Sequence, residues 1–125
     1  DIVQVVGQKD HAESVKHLKN ADALLLIAKA READTFIPGK TFEYIGVGKP
    51  IFSVSNSRFT NALLKDYELA LTVMSFEPEK ISTALQEFLN TNWDLSNIDF
   101  EFVNQFNRQN QTEKLAELLN TITRN

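Results

Sequence analysis

Residues 23–28 read Ala23-Leu24-Leu25-Leu26-Ile27-Ala28, an apolar run of strand length with no polar residue alternating through it. A strand with one wet face alternates polar and apolar side chains. A strand covered on both faces does not, and that second habit belongs to parallel sheets. The run is therefore expected to form a central strand, and the segments on either side are read against it.

Upstream, Ile2-Val3-Gln4-Val5-Val6 is short, rich in β-branched residues and closed by Gly7, which reads as a strand. Asp1 leads straight into it, so the chain is expected to start inside a fold. Asp10 with Glu13 carries the signature of a capping box, and a helix is expected from about His11 to Asn20 with Ala12, Val15 and Leu18 facing inward. Downstream, the polar stretch from Lys29 to Pro38 reads as a loop, and a helix follows from about Lys40 to Val47, with Gly48 placed to end it.

Pro50 to Ser55 reads as a further strand, with proline tolerated at its first position. Asn56 and Ser57 can cap a helix near Arg58 to Asp66, and Leu69 to Phe76 offers a weaker fourth strand. Pro78 suits the first turn of a helix whose apolar stripe is Ile81, Ala84, Leu85, Phe88 and Leu89. Phe100, Phe102, Val103 and Phe106 mark a short apolar segment. Asn110 and Glu113 open a last helix striped by Leu115, Leu118, Leu119 and Ile122. Strands alternating with helices give an α/β class: a Rossmann-like parallel sheet of about four strands with flanking helices.

The chain has 125 residues, which suits one domain spanning 1–125, and its 42% apolar and 24% charged content is that of an ordinary globular protein. A net charge of -4 with both signs interspersed lacks the basic stripe that phosphate neutralisation on nucleic acid demands, so no nucleic-acid partner is expected. Absence of cysteine removes disulfides and thiolate chemistry and favours a reducing compartment; a cytoplasmic location is expected. No apolar run reaches the length of a membrane span.

Ligands of open parallel sheets bind at the carboxyl ends of the strands, where helix starts present amides to anions. The loop after the 23–28 run ends in Pro38-Gly39-Lys40-Thr41, followed by Phe42 and Glu43. Gly39 lets the backbone approach a ligand closely, and the amides of Lys40 and Thr41 can hold a diphosphate. Lys40 adds a mobile positive charge, and Glu43 can accept hydrogen bonds from a ribose diol. A second reading stays open beside this: Lys40 and Glu43 can be a plain surface pair, with Glu43 opposing the helix dipole.

Other chemistry finds less support. His11 and His17 do not share a helix face and no metal site is expected. Ser53, Ser55 and Ser57 lack a Gly-x-Ser-x-Gly setting, and no Gly-x-Gly-x-x-Gly or Walker loop is present. Trp93 and the phenylalanines at 100, 102 and 106 are expected to cover apolar surface.

The stretch Thr35 to Ile51, TFIPGKTFEYIGVGKPI, resembles the donor-site segment of group 1 (GT4-like) glycosyltransferases, in which a helical Glu is followed by small residues and Gly-Lys-Pro entering a strand. Glu43, Gly48, Lys49, Pro50 and Ile51 reproduce that spacing. The wider resemblance runs from about Val3 to Val73 and includes GQKDHAESVKHLKNADALLLI. One departure is plain: the family's E-x7-E pattern has an earlier Glu where Thr35 stands, which bears on the donor-sugar contact rather than on the fold.

The resemblance implies part of the C-terminal, donor-binding domain of a GT-B enzyme that transfers a sugar from a nucleotide-diphosphate donor. Pro38, Gly39, Lys40, Thr41 and Glu43 would bind the donor, with Glu43 on the ribose. Neither a cofactor nor a metal is implied, and the resemblance names no catalytic residue. The acceptor would be bound by an N-terminal domain of the same polypeptide, and the full-length enzyme would be cytoplasmic or peripheral to the inner membrane face. This chain alone would bind donor weakly and be inactive. A nucleotide-sugar epimerase on the same scaffold and a non-enzymatic α/β interaction module are the alternatives. In the family's topology two further strands separate Ile2–Val6 from Ala23–Ala28, so these two strands are expected to pair directly here or the apolar edge to be covered by self-association.

Overall fold

A computed structural model describes residues 2–31 and 35–123; of the expected loop, residues 32–34 lie outside the described residues, as does Asp1. It is an α/β fold built on an open parallel sheet of three strands, β1 (Leu24–Ala28), β2 (Ile51–Ser55) and β3 (Ala70–Val73), in the order β1-β2-β3. Six α-helices accompany them among the described residues: α1 (His11–Asn20), α2 (Gly39–Val47), α3 (Arg58–Lys65), α4 (Pro78–Asn90), α5 (Phe100–Asn104) and α6 (Arg108–Thr123).

Local chemistry explains the helix ends. Asp10 Oδ1 accepts the Glu13 N–H at 2.8 Å and starts α1 at His11. The Glu13 carboxylate does not complete a capping box; it takes the Lys9 ammonium at 2.8 Å instead. α2 stops at Gly48, whose φ of 73° is the left-handed cap that glycine adopts without a steric cost. A side chain there would also meet Ile98 Cδ1 at 3.2 Å. Ser57 Oγ accepts the Thr60 N–H and starts α3. α6 begins at Arg108, earlier than expected, because Asn107 Oδ1 takes the Gln109 N–H at 2.8 Å, while Asn110 donates back to the Asn104 carbonyl.

The sheet corrects three expectations. Residues 2–6 form no strand: Ile2, Val3, Val5 and Val6 are exposed, and no neighbouring strand supplies their hydrogen bonds. They therefore do not pair with β1, and the sheet has three strands rather than four. The Ala23–Ala28 run is an edge strand, not a central one. Its side chains alternate, with Leu24, Leu26 and Ala28 buried and Leu25 and Ile27 exposed, and β2 holds the centre with all five residues buried.

Register places Leu24, Leu26 and Ala28 beside Ile51, Ser53 and Ser55 on one face. There Ile45 of α2, Leu64 of α3, Tyr67 and Leu69 close the main core. Each fully buried aliphatic side chain in it contributes about 1.5–3 kcal/mol. On the other face Phe52 and Val54 pack beneath Phe88 of α4. α4 packs mainly over β2 and β3, and Leu25 and Ile27, with Leu85 and Leu89, line an open apolar groove of about 430 Å3. The expected inward stripe of α4 is thus only half buried.

The aromatic residues do cover apolar surface, with one exception. Trp93 donates its indole N–H to the Phe88 carbonyl at 3.0 Å and packs on that ring. Phe106 meets Phe42, and Phe102 stacks on Tyr67. Phe100 is exposed, and so is the whole stripe of α6. Tyr67 donates to the Lys49 carbonyl at 3.0 Å, and burial pushes its hydroxyl up to about 12. None of the helices is long and apolar enough to cross a membrane among the described residues.

Candidate functional site

Parallel strands that all run one way put their carboxyl ends, and the starts of α2 and α3, on one side of the molecule. Pro38 precedes α2 with φ -56° and offers no side-chain cap, so the first-turn amides are left for solvent or a ligand. One of them is already used: the Thr41 N–H donates to the Pro38 carbonyl at 2.9 Å. The Thr41 side chain is fully buried, with a hydroxyl that has no partner among the described residues. Thr41 is therefore a core residue, and the Gly39 and Lys40 amides stand at the uncapped helix start.

The remaining expected residues divide between two concavities. Pro38 lines a cavity of about 140 Å3 at the strand ends, together with Lys29, Ala30, Phe36 and Ser57. Lys40 and Glu43 line a groove of about 300 Å3 beside α1, facing Gly7, Lys9, Ser14 and His17. The split follows from helix geometry: Lys40 and Glu43, at i and i+3, share one face of α2, while Thr41 and Ile45, at i and i+4, share the face turned to the sheet.

Lys40 and Glu43 are both exposed and do not pair with each other; the ion pairs among the described residues are Lys9–Glu13 and Lys80–Glu77. The simple surface-pair reading of these two residues thus loses its contact. Burial, and after it the Glu43 charge, pushes the neighbouring Tyr44 hydroxyl upward. Glu43 is an acceptor open to solvent, one turn into a helix whose start is uncapped.

A larger cleft, about 710 Å3, lies elsewhere, between α5 and α6. Asp99, Glu101, Glu113 and Glu117 make it strongly acidic, a poor environment for a diphosphate.

The structure adds residues that the sequence reading passed over. Lys29, at the end of β1, lies 5.6 Å from the Phe76 ring centroid and borders the strand-end cavity. Asn56 was expected to share in capping α3; Ser57 does that alone, and Asn56 turns to Ala30, accepting its N–H at 2.7 Å and donating to its carbonyl at 3.1 Å. An asparagine directly after a strand and before a capping serine was a visible signal, but its partner is remote in sequence. No family model, curated protein or solved structure matches the chain.

Proposed function

We propose that this chain is the donor-binding portion of a nucleotide-sugar-dependent glycosyltransferase of the GT-B type, acting within a longer cytoplasmic enzyme. The observation that carries the reading is Glu43: an exposed, unpaired carboxylate on the outer face of α2, one turn from an uncapped helix start at the carboxyl ends of a parallel sheet. The Thr35–Ile51 segment that resembles the family's donor site supplies this helix. The Gly39 and Lys40 amides and the Lys40 ammonium face the diphosphate, and Glu43 accepts from the ribose hydroxyls. Charge that develops on the departing diphosphate is stabilised by the same amides and by Lys40. An N-terminal domain of the same polypeptide supplies the acceptor site, and self-association covers the open edge of β1, with which residues 2–6 do not pair.

Calorimetric titration of the chain and its Glu43→Ala form with UDP, GDP, the free nucleosides and inorganic pyrophosphate tests this. A charged acceptor on a ribose diol contributes about 1.5–3 kcal/mol, so Glu43→Ala is expected to weaken the diphosphates and nucleosides roughly ten- to a hundredfold. Pyrophosphate is expected to bind both forms alike. Equal binding of UDP or GDP to both forms removes the ribose role from Glu43.

A further inference from the structure

The strand pairing of β1 with β2 ends at Ala28 and Ser55. Past that point Asn56 continues it by other means. Its backbone N–H donates to the Ala28 carbonyl at 3.3 Å, and its side-chain carboxamide, which carries the same donor and acceptor as a peptide group, bonds both the N–H and the carbonyl of Ala30. One residue of β2's continuation thereby holds the last residue of β1 and, across 26 positions of sequence, Ala30 beyond it. Ala28 and Ala30, the residues so held, line the strand-end cavity with Lys29, Phe36 and Pro38, and Pro38 leads directly into α2.

We propose that Asn56 is a positioning residue of the donor site: its side chain, bonded at both ends to Ala30, fixes the chain leaving β1 against the strand ends and so sets the shape of the cavity beside the α2 start. The inference rests on the donor-site reading and goes beyond it, because Asn56 is assigned no contact with the ligand. Only a carboxamide satisfies both Ala30 groups at once; a carboxylate keeps the acceptor and loses the donor, and alanine loses both.

The test has two arms on the whole chain, with wild type, Asn56→Ala and Asn56→Asp. In the first, amide hydrogen exchange at Ala30 is expected to quicken about tenfold in Asn56→Ala and to stay near wild type in Asn56→Asp, whose carboxylate still accepts the N–H. Exchange at Ile51 and Ala70, which sit in the β2–β3 pairing, is expected to be unchanged in both variants. In the second, UDP affinity is expected to fall at least threefold in Asn56→Ala while the urea midpoint holds, a pattern that a purely structural role does not give. Unchanged exchange at Ala30 in Asn56→Ala, or quickened exchange with unchanged UDP affinity, overturns the proposal. Failure of the wild-type chain to bind UDP or GDP overturns the donor-site reading and this role with it, whereas binding with no effect of Asn56→Ala overturns this role alone.

Discussion

β1 and β2 have the same length and lie side by side, yet they live in different surroundings. β1, Leu-Leu-Leu-Ile-Ala, is the more apolar of the two and leaves two of its five residues exposed; β2, Ile-Phe-Ser-Val-Ser, contains two serines and buries all five. Apolarity along a strand therefore does not report its place in a sheet. Place is set by which elements return to it. α2 and α3 cover the first face of both strands, but α4 packs mainly over β2 and β3 on the second, and β1 keeps an open edge among the described residues. The Ser55 hydroxyl is in use at the centre, accepting the Ser57 N–H at the start of α3. Ser53 has no such partner.

Three substitutions sharpen this contrast, read as free energies from urea unfolding. Ile51→Ala removes a fully buried side chain at the centre of the sheet and is expected to cost about 2–5 kcal/mol. A loss under about 1 kcal/mol there would mean that β2 is not the core strand. Ser53→Ala deletes a buried hydroxyl with no partner, and a gain of about 1 kcal/mol is expected; a loss of that size would show that the hydroxyl is hydrogen-bonded in solution. Ile27→Ala trims a side chain that is 63% exposed and is expected to change stability by less than about 0.5 kcal/mol. A large cost at Ile27 would instead reveal that the groove beside β1 is filled in solution.

What the sequence disclosed was mostly what neighbours in sequence decide. Asp10 marked the start of α1, Gly48 the end of α2, and Ser57 the start of α3, because a cap or a left-handed turn is settled within a few residues. Strand identity was less accessible. Ile2–Val6 has a strand's composition, but a strand exists only where it pairs with another, and these residues do not pair with the open edge of β1. The α6 stripe has helical spacing and forms a helix, yet spacing does not say whether anything packs on it. The Thr35–Ile51 segment was legible as a helix start with Lys40 and Glu43 on one side. That Thr41 turns into the core, and that Asn56 holds Ala30, depends on contacts made across the sheet, which no local pattern carries.

The account stands on a nucleoside diphosphate settling at the start of α2. Amide chemical-shift mapping during titration with UDP tests that most directly, with Glu43→Ala as the paired sample. The expected result is saturable shifts centred on Gly39, Lys40 and Glu43, with the amides of α4 still, and a weaker binding curve in the variant. Shifts confined to the acidic cleft between α5 and α6, or no saturable shift at all, would contradict it.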